Sequence, residues 1–286
     1  MKFTSILSAI VAVAAVGPMV AEAAQNTTLS VLSNNVYFLS EVLYPNWGQR
    51  HRAQLIADSQ YIKGHDVVVI QECFDTDPCT ILRDGLRSQY PHMTPVVGQT
   101  RGGWDSTSGS YSSTASENGG VLIMSKWPIK QKHQFVYKYG CGADWFSNKG
   151  FAYVVLDYKG TNLHVFGTHL QSDASGCTSG QAARFRTSAL EAWRGYINGR
   201  KIPANEPVIM AGDFNIIRDS SEYKSFLSTL QVNPPSAFTD KHHSQGIKSL
   251  TQSVLKLKTT PYELKGATYD DYSDHYPVQG LIELDI

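Results

Sequence analysis

The run Asp66-Val67-Val68-Val69-Ile70-Gln71 constrains this chain most. Four successive β-branched apolar residues disfavour a helix and leave neither face of a strand polar, so the segment reads as a strand covered on both sides. A strand of that kind requires a layered α/β domain around it. The neighbouring segments supply the layers. Arg50 to Lys63 places Ala53, Ile56 and Ile62 near one helical face, with Gly64 as a C-terminal stop. Val121 to Ser125, Phe151 to Asp157, Leu163 to Thr168 and Pro207 to Ala211 have strand character. Ser179 to Asn198 carries Ala182, Phe185, Ala189, Trp193 and Tyr196 at three- and four-residue spacing, which predicts an amphipathic helix lying on a sheet. Two sheets packed face to face and flanked by helices fit this order; regular strand-helix units are too few for a parallel barrel. At 286 residues and 42% apolar, without a Pro-, Gly- or charge-rich linker, the chain predicts one large domain over residues 24–286.

The N-terminus reads differently. Lys2, an apolar run from Ile6 to Val16, Pro18 and the triplet Ala21-Glu22-Ala23 predict a secretory signal peptide over residues 1–23, and hence a secreted, extracellular protein. The run is shorter than the roughly 20 residues needed to span a bilayer. Export would expose Cys73, Cys79, Cys141 and Cys177 to oxidising conditions. Pairing Cys73 with Cys79, close together around Pro78, and Cys141 with Cys177 is one choice of three, and the residues themselves leave it open. Asn26-Thr27-Thr28 is a glycosylation sequon. A net charge of zero lacks the basic footprint of a protein that grips nucleic acid through phosphates, so no nucleic-acid partner is expected.

The residues just past the strands form a chemical pattern: Glu72, His169, Asp213 with Asn215, and Asp274 with His275. A rigid sheet presents such groups at fixed spacing while the loops stay open to substrate. Taken singly, each has an ordinary reading. Glu72 would be a solvated loop residue, His169 a hydrogen-bonded structural imidazole, and Asp213 and Asp274 turn formers. Independent turns, however, have no reason to supply acids, amides and imidazoles together at successive strand ends.

Gln71-Glu72, Gly167-Thr168-His169-Leu170, Gly212-Asp213-Phe214-Asn215 and Ser273-Asp274-His275 resemble, in order, the four signature blocks of the endonuclease/exonuclease/phosphatase superfamily. Leu43-Tyr44-Pro45-Asn46-Trp47-Gly48-Gln49 after Asn35-Val36-Tyr37, Gly119-Gly120-Val121 leading to Ser125-Lys126-Trp127-Pro128-Ile129, and Ser147-Asn148-Lys149-Gly150-Phe151 narrow the resemblance to the bacterial-type neutral sphingomyelinases. The resemblance implies the superfamily's four-layer fold and a secreted phosphodiesterase that converts sphingomyelin to ceramide and phosphocholine. It implies Mg²⁺, with Mn²⁺ or Co²⁺ as alternatives, held by Glu72 with Asn35. His275, oriented by Asp274, would be the general base. His169 and Asn215 would bond the phosphate, Asp213 would position water or assist the base, and Lys149 would contact the phosphate unless it is a solvated surface lysine. The shared Gly-Cys-Gly and later Cys imply a Cys141–Cys177 bridge.

The chain departs from the family between Asn215 and Asp274, which is short. The family's Leu-Asp-Tyr-type motif is missing, so either Asp240 of Phe238-Thr239-Asp240 substitutes for its acid or the sheet is incomplete. Most of the aromatic hairpin that presses into lipid is missing too, leaving Tyr262 and Leu264. Transient, weak attachment to a sphingomyelin-containing membrane surface follows, with no obligate protein partner. Trp145-Phe146 is either a second apolar contact or a buried pair. The competing functions are a secreted Mg²⁺-dependent nuclease on the same scaffold and a catalytically impaired lipid-binding relative.

Overall fold

The computed structural model describes residues 6–13, 26–173, 176–233 and 247–285. In chain order it begins β1 (Ile6–Val13), β2 (Asn26–Phe38), α1 (Gln49–Asp58), β3 (Val67–Cys73), α2 (Thr76–Leu86), β4 (His92–Met93) and β5 (Ser106–Gly109). There follow β6 (Leu122–Ser125), β7 (Ile129–Val136), β8 (Gly150–Tyr158), β9 (Thr161–His169), α3 (Gln181–Arg200) and β10 (Val208–Ile217). The last elements are α4 (Ser221–Leu230), β11 (Val232–Asn233), β12 (Ile247–Val254), β13 (Tyr262–Leu264), β14 (Ala267–Tyr269) and β15 (Val278–Asp285).

The Val67–Ile70 run is the centre of β3, and its alternation explains the layers. Val67 and Val69 point between the sheets, against Val154, Val165 and Ala211. Val68 and Ile70 point the other way, onto Ala53 and Ile56 of α1 and Leu82 and Leu86 of α2. One sheet runs β12-β15-β2-β3-β6-β4 and the other β11-β1-β10-β9-β8-β7-β5. The second sheet is covered by α3 and α4 through Trp193, Leu190 and Phe226, packed on Phe166, Met210 and Phe214. The result is helix, sheet, sheet, helix, as the sequence predicts. Parallel β2–β3 and β9–β10 pairs bring the C-terminal ends of four strands to the same rim.

Two glycines set close approaches there. A Cβ on Gly212 would lie 2.1 Å from the Thr168 carbonyl oxygen, and one on Gly167 would lie 2.6 Å from Val69 Cγ1 in the facing sheet. The first lets β10 meet β9; the second lets the sheets meet.

Some expectations are corrected. The helix over Arg50 to Lys63 ends at Asp58, because Ser59 Oγ bonds back to the Ile56 carbonyl and residues 59–64 turn. Gly64 has φ +85° in that turn instead of capping the helix. The Pro207 to Ala211 strand extends to Ile217, so Asp213 and Asn215 lie within it. Both disulfides form, Cys73–Cys79 and Cys141–Cys177. Asn26, of the sequon, opens β2 opposite Asp285.

Residues 6–13, inside the segment read as a signal peptide, pair as β1 antiparallel to β10, from Val13 opposite Val208 to Ser8 opposite Asp213. Asp240 lies outside the described residues. No described helix is long and apolar enough to cross a membrane.

Candidate active site

At the common rim, β3 delivers Glu72, β2 Asn35, β9 His169 and β10 Asp213 and Asn215, while the loop before β15 delivers Asp274 and His275. Glu72 and Asn215 have φ of 60° and 50°, a left-handed backbone that non-glycine residues seldom adopt. Each therefore turns out of its strand's alternation toward the shared centre.

Glu72, His169 and Asp213 are buried, with one donor atom from each lying within 4.8 Å of the others. Asn35 donates from Nδ2 to Glu72 Oε1 (2.7 Å) and Asp213 Oδ2 (3.1 Å). Its Oδ1 accepts from the Tyr37 N–H, which sets the amide's orientation. Asn35 thus faces the acids with its Nδ2 donor and links the two carboxylates. Asp213 Oδ1 accepts from the Asn215 N–H, and Asn215 Nδ2 donates to the Leu170 carbonyl.

His275 sits at the mouth. Its Nδ1 is 2.6 Å from Asp274 Oδ1 and its Nε2 3.5 Å from Asp213 Oδ2. Ser273 Oγ donates to the Asn35 carbonyl, tying this loop to β2. Lys149 is buried, not a solvated surface lysine: Nζ donates to Asp144 Oδ2 (2.8 Å) and the Leu170 carbonyl, and lies 3.5 Å from His169 Nε2. Asp144 also accepts from the Ser172 N–H and hydroxyl. Nothing in the sequence singles out Asp144; only the fold brings it to Lys149.

The charges are unbalanced. Burial, then the Asp274 charge, push the Glu72 carboxyl up to about 7, against the Asn35 hydrogen bond and the His275 and Lys149 charges. Burial, Lys149 and His275 hold His169 well below the usual imidazole range. The 3.8 Å approach of His169 to Glu72 is therefore a contact of a neutral imidazole, not an ion pair. Burial alone would lower His275, but the Asp274 hydrogen bond, with Asp274, Asp213 and Glu72 charges, raises it to about 9. Buried oxygen donors crowded beside a neutral imidazole suit a hard divalent cation.

The sequence profile of the Endonuclease/Exonuclease/phosphatase family matches residues 35–277, and the chain belongs to that family. Within it the similarity is to bacterial sphingomyelinases. The chain is 39% identical over 301 residues to "Sphingomyelinase C" of Bacillus cereus, covering 91% of this chain and 90% of that one. It is 42% identical over 296 residues to "Sphingomyelinase C" of Leptospira interrogans, of whose length it spans about half, 53%. A crystal structure of a beta toxin mutant from Staphylococcus aureus with bound magnesium ions superposes with TM-score 0.83 at 40% identity, covering 89% of this chain and 99% of that one.

Proposed function

We propose that the chain is a secreted, Mg²⁺-dependent phosphodiesterase that hydrolyses sphingomyelin to ceramide and phosphocholine. The observation that carries the reading is the buried Glu72, Asp213 and His169 cluster facing the Asp274–His275 pair across one cleft. Glu72 is the principal metal ligand, and Asn35 beside it keeps that carboxylate and Asp213 in place. Held there, Mg²⁺ supplies polarisation of a phosphoryl oxygen, charge for the leaving alkoxide and relief of the carboxylate field around His275.

The chain's own groups do the rest. His275 takes a proton from water through Nε2 while Asp274 fixes Nδ1–H, and Asp213 orients that water. Asn215 and His169 bond the phosphate oxygens. Lys149, anchored by Asp144, places positive charge behind His169, where negative charge builds in the transition state. Mn²⁺ and Co²⁺ fit the same oxygen-rich donors.

The apolar run before Ala23 and the two disulfides support export. Trp145 and Phe146 are exposed, at 68% and 59%, on the turn Gly142–Phe146. Together with Tyr262 of the short β13–β14 hairpin they form the weak lipid contact of this reading.

The test is phosphocholine release from sphingomyelin micelles, with Mg²⁺, with EDTA, and by His275→Ala. General-base loss predicts a fall of at least about 10² to 10⁴-fold. Near-normal turnover of the variant would remove His275 from its role, and degradation of DNA with sphingomyelin untouched would select the nuclease instead.

A further inference from the structure

Gln49, Arg52, Ala53, Ile56 and Ala57 form the buried stripe of α1, so a guanidinium lies where an apolar side chain belongs. Arg52 is 4% exposed, and its hydrogen bonds all go to main-chain carbonyls. Nε donates to Trp47 (3.0 Å), Nη1 to Val36 (2.7 Å) and Tyr272 (3.1 Å), and Nη2 to Tyr37 (2.6 Å). Burying a cation without a carboxylate is costly, and an amphipathic helix of this length does not require it for packing.

The acceptors explain the placement. The β2–β3 register slips between Asn35 and Phe38, and Tyr37 has φ 55°. The carbonyls of Val36 and Tyr37 therefore leave the sheet ladder just past Asn35. Trp47 stacks on Tyr37 at 4.6 Å. Tyr272 lies two residues before Asp274. One planar fork thus ties the strand end that carries Asn35, the loop covering it, and the segment that carries Asp274 and His275. The Ser273 Oγ bond to the Asn35 carbonyl runs alongside.

We propose that Arg52 is a positioning residue, which sets the distance of the Asp274–His275 pair from the Asn35 and Glu72 side of the cleft. This rests on the phosphodiesterase reading for its kinetic consequence and on geometry alone for its structural one. Lysine keeps the charge but offers one compact donor group in place of the fork, so it cannot hold three segments at once.

Arg52→Lys, made in the full chain and checked for a native circular dichroism spectrum, is expected to lower kcat on sphingomyelin about 10- to 100-fold, the scale of a 1 Å misplacement. KM should stay within threefold. The His275 imidazole resonances should shift in the variant's NMR spectrum. In a His275→Ala background the same change should cost little further, because residues acting through one another are non-additive. An unchanged kcat overturns the proposal. So does an equal loss in the His275→Ala background with the His275 signals unmoved, which would mark a merely structural role. If wild type cleaves no sphingomyelin, the substrate reading falls, and Arg52 is judged by the His275 resonances: a shift upholds it, none overturns it.

Discussion

Replacing Glu72 by Gln should inactivate the protein and yet stabilise its fold at alkaline pH in chelator. The carboxyl rises from 4.5 to about 7 on folding, chiefly through burial. A group raised by folding binds more protons in the folded state, so its contribution is fully present below pH 4.5 and is lost as pH climbs to about 7. At about 1.4 kcal/mol per pH unit, ionising Glu72 in place costs on the order of 3 kcal/mol by pH 8. Gln is nearly isosteric with the protonated acid, and its Oε1 still accepts from Asn35 Nδ2 across the 2.7 Å contact. Urea unfolding in EDTA at pH 4.5 and pH 8 measures the effect. The two proteins should be close at pH 4.5, and the variant more stable by up to about 3 kcal/mol at pH 8, or roughly 6 °C in Tm. Adding Mg²⁺ should reverse the order by stabilising wild type alone, by about 4.1 kcal/mol at a thousandfold excess over Kd. A variant that is less stable at pH 8 in EDTA, or a difference that does not change with pH, refutes the argument that Glu72 is a buried carboxylate awaiting a cation.

Three further outcomes are expected. Asp144→Asn, which leaves Lys149 without its ion partner, should lower kcat about tenfold or more while the Ser172 contacts hold the loop; unchanged kinetics would detach Lys149 from the phosphate. The double change Trp145→Ala and Phe146→Ala should weaken binding and turnover on sphingomyelin vesicles while hydrolysis of a soluble phosphodiester is preserved, as flotation and a colorimetric assay would show; equal loss on both substrates would place the pair in folding instead. N-terminal sequencing of the exported protein should begin at Ala24, whereas retention of residues 6–13 would make β1 a working strand and end the signal-peptide reading.

Much of this protein is determined locally, and that part is readable without coordinates. The Val67–Ile70 run demands cover on both faces because four branched side chains have nowhere polar to point, and the structure supplies it on one side from α1 and α2 and on the other from the second sheet. The gathering of Glu72, His169, Asp213 and His275 is legible because acids and imidazoles recur at successive strand ends along the chain. Helix length is less legible, since Ser59 stops α1 through its own side chain while the apolar spacing runs on to Ile62.

What tertiary structure alone decides is which ordinary residue is enclosed beside the candidate site. In the sequence Lys149 reads equally as a phosphate contact or a solvated surface lysine, and the structure encloses it with Asp144 and the Leu170 carbonyl. Arg52 and Gln49 interrupt an apolar stripe for a reason visible only in the strand end they meet, where Gln49 bonds the Leu39 and Tyr44 carbonyls and Arg52 those of Val36, Tyr37, Trp47 and Tyr272. The same holds for protonation. Glu72 is pushed up by burial and then further by Asp274, and His275 rises against its own burial through Asp274, Asp213 and Glu72, so each answers in part to charges that arrive from distant segments of the chain. Sequence sets which groups a segment can offer and what shape it prefers; the charge and donor set around each group depends on distances between segments, which exist only once the sheets have packed.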